Sequence, residues 1–135
     1  MILNDIFNIL FLSAQSIESA GKARIASALT LKGNIISFGF NQMKTHPFQA
    51  RFSTNPDCIY LHSEIAAIQK GLRKVEVEDL KKCSLHICRA KRSYRNGPFI
   101  TGLSLPCLGC MRAITAFEIK KVFYSTENCM EFTCL

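Results

Sequence analysis

His-Ser-Glu at residues 62–64 and Pro-Cys-Leu-Gly-Cys at residues 106–110 are the two stretches from which the fold of this chain can be argued. Together they supply one imidazole, one carboxylate and two thiols. A structural zinc site normally takes four protein ligands, whereas a catalytic zinc site takes three and keeps its fourth position for water or a substrate atom. One histidine and two cysteines make three, so the two stretches predict a catalytic zinc site.

The predicted zinc ligands are His62, Cys107 and Cys110, and the carboxylate of Glu64 is left free for proton transfer. The cysteines are three residues apart, which places their side chains on one face of a helix about one turn apart. Zinc lowers the pKa of a bound water to near neutrality. Glu64 could take the proton of that water and deliver it to a ring nitrogen and to a departing amino group. This chemistry suits the hydrolytic loss of ammonia from an amidine-like carbon.

Neither half of this pattern is specific by itself. A single histidine is more often a core or surface residue, and a Cys-x-x-Cys pair can be redox-active, structural or accidental. The two halves together, with Pro106 before the first cysteine and a predicted helix opening at each half, favour the catalytic zinc site. His-x-Glu followed by Pro-Cys-x-x-Cys is also the signature of zinc-dependent nucleobase deaminases.

The composition favours a single compact domain spanning residues 1–135. Apolar residues make up 48% of the chain and charged residues 20%, which is ordinary for a globular protein and argues against disorder. Seventeen Lys and Arg against ten Asp and Glu give a net charge of +7. Such a surface attracts anions, including nucleotide phosphates and a nucleic-acid backbone, although the same charge can serve solubility alone.

The seven cysteines favour a reducing compartment. Their number is odd, their spacing is irregular, and no charged leader with a cleavage site opens the sequence, so we expect a cytoplasmic protein rather than a secreted disulfide framework. No stretch reaches the roughly 18 apolar residues that a membrane-spanning helix needs. We therefore expect no membrane partner.

The apolar spacing predicts a coarse order of elements. A helix is predicted over residues 4–20, and its apolar residues outside the main stripe, Ile9, Phe11 and Leu12, suggest self-association into a homo-oligomer. Residues 42–60, by contrast, read as a long connection. The remaining predicted elements are strands at 24–31 and 35–41, helices that begin near 62 and 107, and strands at 84–90, 121–125 and 130–134, the last two joined by a tight turn.

With these motifs in this order, the chain resembles the cytidine and deoxycytidylate deaminase superfamily from about residue 24 onward. The resemblance implies an α/β fold, a three-layer α/β/α sandwich with a mixed sheet of four to five strands that ends in an antiparallel hairpin. It also implies a Zn2+-dependent hydrolase that removes an amino group from a nucleobase. The hairpin is typical of the branch that holds nucleoside deaminases and several polynucleotide-deaminating domains.

The resemblance also implies substrate contacts. The Gly-Phe-Asn segment that ends at Asn41 is similar to a family segment whose asparagine contacts the substrate sugar, although an ordinary turn asparagine would look the same. Backbone groups near Ser63 and Cys107 would hold the oxygen of the base. A carbonyl at Ser104 or Leu105 would accept a hydrogen bond from its amino group.

The chain departs from the family pattern at three places. Ser63 stands where the family usually has alanine, and Ser104-Leu105 stands where Glu or Ser often precedes the proline. The deoxycytidylate branch usually carries an asparagine two residues after the catalytic glutamate, where this chain has Ala66. These departures remove no metal ligand, but they leave the base and the branch open.

The leading hypothesis from the sequence is hydrolytic deamination of cytosine in a free nucleoside or nucleotide. Asn41 would contact the sugar, and Arg92 or Arg95 would be available to bind a phosphate. The alternative is that these two arginines are ordinary solvent-exposed residues. A non-catalytic zinc-stabilised binding module is an alternative, but such a module has no use for the unbound carboxylate of Glu64.

A further alternative is a polynucleotide deaminase that acts on cytosine or adenine in single-stranded DNA or RNA. Aromatic residues on basic loops could stack on bases while neighbouring cations contact the phosphate backbone. Phe48 and Phe52 could instead be packing residues. The aromatic candidates are Phe48, Phe52 and Tyr94, and the basic candidates are Arg51, Lys91 and Arg92.

Overall fold

The computed structural model of the protein describes residues 3–18, 23–42, 46–52 and 60–135. Within these residues the helices are α1 (Leu3–Gln15), α2 (Pro47–Phe52), α3 (Ser63–Gly71) and α4 (Leu108–Ala116), and a 3-10 helix spans Val77–Lys82. The strands are β1 (Arg24–Leu31), β2 (Asn34–Phe40), β3 (Cys83–Arg92), β4 (Phe99–Gly102), β5 (Lys121–Ser125) and β6 (Phe132–Cys134). Residues 19–20 of the predicted first helix, and residues 43–45 and 53–59 of the predicted connection, lie outside the described part of the chain.

The strands form one mixed sheet in the order β2-β1-β3-β5-β6, with β4 paired to β3. The β3 and β5 strands run parallel, whereas every other pairing is antiparallel. The sheet has six strands, one more than the upper number predicted, and the added strand is β4. It fits because β5 pairs only with the first half of β3, so that the same side of Arg89–Arg92 is free to pair with β4.

Helices cover both faces of the sheet, which confirms the predicted three-layer sandwich. Side chains alternate along a strand, so each strand contributes to both cores. Ala28 and Cys88 face one side and pack with Phe7 and Leu10 of α1. On the other side, the core residues of β1, β3 and β5 pack with α3, α4 and the 3-10 helix, and they are Leu29, Leu85, Ile87 and Val122.

A glycine lets α3 lie directly on the sheet. A Cβ atom added to Gly39 of β2 would lie 2.1 Å from the carbonyl oxygen of Ser63 and 2.4 Å from the backbone nitrogen of Ala67. No side chain can occupy that space without moving the helix away. Gly39 therefore sets the height of the first turn of α3 above the sheet, and with it the position of the residues that the helix carries.

Two helical segments lie where the spacing of apolar residues predicts no helix. The α2 helix falls within the predicted connection, and its Phe48 and Phe52 rings lie 5.9 and 6.0 Å from the ring of Phe117. The 3-10 helix is held by a capping box, in which Asp79 Oδ2 accepts a hydrogen bond from the backbone nitrogen of Glu76 at 3.1 Å. Both segments depend on contacts rather than on periodic spacing.

The sheet ends in the predicted antiparallel hairpin. The turn between β5 and β6 is closed by a hydrogen bond from the backbone nitrogen of Thr126 to the carbonyl oxygen of Glu131 at 2.9 Å. Phe132 of β6 stacks on Phe7 of α1, with ring centroids 3.8 Å apart, which fixes the hairpin on the α1 face. No helix in the described ranges is long and apolar enough to cross a membrane.

Candidate active site

Two helices begin at predicted zinc ligands. His62 and Cys107 are the residues that cap the N-termini of α3 and α4, and both have extended backbone angles. Their carbonyl oxygens accept the first helical hydrogen bonds, from Ala66 at 3.0 Å and from Met111 at 2.9 Å. Because the N-terminal end of a helix carries partial positive charge, both helix starts favour thiolates and other anions between them.

The three predicted ligands come together. His62 Nδ1 lies 3.4 Å from Cys107 Sγ and 3.4 Å from Cys110 Sγ, and the three atoms lie within 4.8 Å of one another. Two ligands at ordinary Zn–N and Zn–S distances across a tetrahedral angle lie about 3.6 Å apart. One imidazole and two thiols at this spacing therefore fit Zn2+.

The three side chains of the cluster differ in the direction in which their pKa values are shifted. Hydrogen bonds from Cys110 and His62 lower the pKa of the Cys107 thiol to about 4. The hydrogen bond to Cys107 and burial raise the pKa of Cys110 far above its usual value. The hydrogen bond with Cys107 raises the pKa of His62. One thiolate thus forms readily, whereas a second needs a bound cation, so metal binding at this cluster releases protons.

Glu64 lies beside the cluster without belonging to it. Its side chain is buried in the first turn of α3, and its Oε1 accepts a hydrogen bond from Ser63 Oγ at 2.8 Å. Ser63 Oγ in turn lies 2.7 Å from Ser27 Oγ of β1, and both serines are fully buried. The carboxylate is therefore held in one orientation by a buried chain of hydroxyl groups that starts in the sheet.

A cavity of about 280 Å³ gives access to these groups. It brings six of the seven predicted site residues together, and the seventh, Cys110, lies behind Cys107 and is fully buried. Leu105 is 49% exposed. The walls of the cavity are formed by Ala23, Ile25, Asn41, His62, Ser63, Glu64, Ser104, Leu105 and Cys107.

Asn41 reaches the cavity with its amide already engaged. Its Oδ1 accepts a hydrogen bond from the backbone nitrogen of Ile25 at 2.9 Å, and its Nδ2 donates to the carbonyl oxygen of Ala23 at 2.5 Å. An amide oxygen accepts two hydrogen bonds and an amide nitrogen donates two, so each atom keeps one further bond for a ligand. The backbone contacts fix the direction in which that capacity points.

The segment before Cys107 is tied to the sheet by serines. Ser104 Oγ donates to the carbonyl oxygen of Ile87 at 2.9 Å and accepts from the backbone nitrogen of Ser125 at 2.9 Å. The backbone nitrogen of Ser104 also donates to the carbonyl oxygen of Ser125 at 2.9 Å. These bonds anchor the segment to β3 and β5, which leaves Leu105 to line the cavity.

Sequence reasoning missed two residues that support the site. Gln49 of α2 is 1% exposed, and its Oε1 accepts a hydrogen bond from the backbone nitrogen of His62 at 3.0 Å. No sequence signal marks it, because it lies in a segment that reads as a connection. Ser27 does leave a signal, since it is a polar residue between two alanines in the middle of a strand.

The residues proposed for a polynucleotide lie outside this cavity. Phe48 and Phe52 pack with Phe117, which is the packing role given as the alternative to base stacking. Arg92 Nη1 donates to the carbonyl oxygen of Gly97 at 2.7 Å, and its guanidinium lies 4.3 Å from the centre of the Phe99 ring. Tyr94 is 69% exposed, and Lys91 pairs with Glu127, with Lys91 Nζ and Glu127 Oε2 3.3 Å apart.

The comparison with protein families identifies the chain. The model of the cytidine and deoxycytidylate deaminase zinc-binding region matches residues 3–126. The chain therefore belongs to this family of zinc-dependent deaminases, and its His62, Cys107 and Cys110 cluster is the compatible metal site. No curated protein sequence matches the chain significantly.

Solved structures of family members share the fold. The dCMP deaminase of cyanophage S-TIM5 is 22% identical, with a TM-score of 0.58 over 93% of this chain and 84% of that one. Guanine deaminase from Bacillus subtilis is 21% identical, with a TM-score of 0.60 over 94% and 66%. A structure from a study of transfer-RNA A34 deaminases is 20% identical, with a TM-score of 0.58 over 94% and 79%.

Proposed function

We propose that the protein hydrolytically deaminates cytosine in a free nucleoside or nucleotide. The observation that carries this proposal is the position of Glu64. Its buried carboxylate shares a cavity with His62 and Cys107 but stands outside the group of ligand atoms. A structural metal site needs no such carboxylate, whereas a hydrolytic site needs a proton carrier beside the metal.

Each group has a defined role in this proposal. A zinc ion held by His62, Cys107 and Cys110 would supply a Lewis acid that lowers the pKa of water to near neutrality. Glu64 accepts a proton as the water oxygen bonds to the carbon that carries the amino group. It donates that proton to the ring nitrogen, then takes the second proton of the same oxygen and donates it to the departing amine. The carbon–nitrogen bond breaks, ammonia leaves, and the base keeps the oxygen as a carbonyl.

The dimensions of the cavity suit a single nucleotide unit, either free or flipped out of a strand. A volume of about 280 Å³ suits one base and part of a sugar. The second hydrogen-bonding positions of the Asn41 amide support its proposed contact with the sugar. Backbone groups of Ser63 and Leu105, at the cavity wall, are the proposed contacts of the base. The packing of Phe48 and Phe52 against Phe117 weakens the case for a polynucleotide.

The test is a mass-spectrometric screen of the zinc-loaded protein. The substrates are cytosine, cytidine, deoxycytidine, CMP, dCMP, guanine, adenosine and single-stranded oligonucleotides with one cytosine or one adenine. The Glu64→Gln variant is the matched control, because glutamine keeps the shape but cannot carry the proton. General acid–base catalysis contributes about 10²–10⁴-fold, so this variant should retain at most about a hundredth of the rate.

The screen separates the alternatives. Conversion of a small cytosine compound, lost in Glu64→Gln, supports the proposal. Conversion in oligonucleotides alone establishes the polynucleotide deaminase instead, and conversion of guanine alone excludes cytosine as the base. If the zinc-loaded protein and its Glu64→Gln variant both convert none of these substrates, the non-catalytic zinc module is the remaining alternative.

We also propose that residues 1–135 act as one domain in a cytoplasmic homo-oligomer. The support is one continuous sheet, thiols rather than disulfides at the described cysteines, and exposed leucines at Leu12 (67%) and Leu108 (65%). Analytical ultracentrifugation at micromolar concentration should give a mass above 15.2 kDa. A monomer at every concentration contradicts the oligomer.

A further inference from the structure

A second polar cavity lies at the opposite end of the sheet from the candidate active site. Its volume is about 410 Å³. Three separate segments meet there: the turn between β1 and β2, the end of the 3-10 helix with the start of β3, and the start of β5. Each segment contributes at least one lysine, and the five lysines are Lys32, Lys81, Lys82, Lys120 and Lys121.

The charge of these lysines is largely uncompensated. The ion pair found for them within the described residues joins Lys81 Nζ to Glu118 Oε2 at 3.0 Å, and both side chains are more than half exposed. Five of the seventeen basic residues of the chain thus share one cavity. Like charges at close range repel one another, and an anion bound among them would remove that repulsion.

One of the lysines occupies a costly backbone conformation. Lys32 has a φ of 53°, and it forms the hairpin turn with Gly33, whose φ is 79°. Asparagine and glycine are the residues preferred at such left-handed turn positions, because other side chains crowd the backbone there. The turn therefore carries a cation at a position where local conformation favours asparagine, aspartate or glycine.

The cavity is separate from the catalytic one. Cys83 lies in the lysine cavity, and Ile87, whose carbonyl oxygen binds Ser104 of the catalytic cavity, lies four residues further along β3. Four residues of a strand span about 13 Å. A ligand among the lysines would thus bind without entering the catalytic cavity.

We infer that this lysine cavity binds a compact anion with several phosphate groups. Cations that converge from three segments suit adjacent phosphates in one small ligand, whereas an extended backbone would be met by a stripe of cations along the surface. The lysine ammonium acts as a point charge that needs no fixed geometry, which suits a flexible phosphate chain. The inference does not depend on the proposed deaminase substrate.

Inorganic tripolyphosphate is the probe that tests the inference. Isothermal titration at about 20 mM NaCl should give one saturable site, with a Kd at least about tenfold below that for orthophosphate, because more phosphates meet more ammonium groups. Raising the salt to about 200 mM should weaken the binding by at least about tenfold, since these charges are exposed.

Variants locate the site. The double variant Lys82→Ala/Lys121→Ala should raise the Kd for tripolyphosphate at least about tenfold. The matched control, Lys70→Ala/Lys74→Ala, makes the same change of charge at a different cavity beside α3 and should alter the Kd less than about twofold. Lys32→Asn should also weaken binding, while the melting temperature is unchanged or higher, because asparagine suits the turn.

Three results would overturn the inference. One is equal weakening by the two double variants, which would make the attraction a property of the net charge alone. Another is the absence of saturable binding at low salt. The last is a 20-nucleotide single strand that binds the same lysines at least about tenfold more tightly than tripolyphosphate does, which would make a nucleic-acid backbone the ligand.

Discussion

The two ends of the sheet present opposite kinds of polar chemistry. At the catalytic end, Ser27, Ser63 and Glu64 are buried and joined by hydrogen bonds of 2.7 and 2.8 Å. At the other end, the lysines are exposed, and among the described residues Glu118 alone is paired with them. Buried hydrogen bonds depend on exact distances, whereas exposed charges act over about 10 Å and are weakened by salt. The catalytic end should therefore be sensitive to single atoms, and the lysine end to ionic strength.

The largest expected effect is at the metal cluster. Cys110→Ala removes one of three ligands, so bound zinc should fall from about one ion per chain to less than about a tenth, with loss of activity. Plasma mass spectrometry of the purified protein measures the metal. Cys134→Ala removes an exposed thiol from β6 and is the control that should keep both. Full zinc content in Cys110→Ala would contradict the assigned cluster.

Lowering the pH should destabilise the fold through His86, a buried histidine between the two ends of the sheet. His86 of β3 is 3% exposed, its Nε2 lies 3.1 Å from Thr30 Oγ1, and burial lowers its pKa to about 4. The unfolded chain takes up this proton near pH 6.5, whereas the folded chain takes it up near pH 4. The free energy of unfolding should thus fall by about 3 kcal/mol as the pH drops through that window.

Urea unfolding of the metal-free protein at pH 7 and pH 4.5 measures this effect without a contribution from zinc release. His86→Leu carries no proton at this position, so the drop in its stability between the two pH values should be smaller by about 2–3 kcal/mol. An equal drop in the two proteins would place the acid sensitivity elsewhere, for example at the carboxylates.

A smaller effect is expected from the hydroxyl group that orients Glu64. Ser63→Ala removes the donor to the carboxylate and leaves Ser27 without this partner, so kcat should fall about tenfold and the free energy of unfolding by about 1–2 kcal/mol. Ser27→Ala keeps the bond from Ser63 to Glu64 and is the matched control. A similar loss of stability in both variants, with kcat unchanged in both, would show that the serines serve only the fold.

The smallest expected effect is that of salt on catalysis. None of the described residues that line the catalytic cavity is Lys or Arg. Between about 20 and 200 mM NaCl, kcat/KM for an uncharged nucleoside should therefore change less than about twofold, while tripolyphosphate binding weakens at least about tenfold. If kcat/KM and tripolyphosphate binding fell by the same factor with salt, the contrast between the two ends of the sheet would be wrong.

The sequence predicted those parts of the molecule that depend on local chemistry. The cluster that is compatible with Zn2+ could be predicted because a helix start fixes the spacing of Cys107 and Cys110 and because few residue types bind zinc. The β1 and β5 strands match their predicted bounds, since both are apolar runs between polar turns. In β2 and β3 the ends differ by one or two residues, because strand pairing rather than composition decides where a ladder stops.

The parts that could not be predicted depend on residues far apart in the chain. The β4 strand exists because β5 leaves half of β3 unpaired. The α2 helix has six residues, too few to be stable alone, and packs on Phe117, which lies far along the chain. The contact of Ser27 with Ser63 spans 36 positions. Neither spacing nor composition carries information of this kind.

The placement of His62 and Cys107 at the N-caps of α3 and α4 ties metal occupancy to backbone protection. A bound ion restrains the residue from which each helix starts, so opening the first turn would require loss of the ion. Hydrogen exchange at the amides of Ala66 and Met111, which donate the first helical hydrogen bonds, should consequently report how much of the protein carries zinc. Exchange at the two helix starts thus measures metal occupancy without an activity assay.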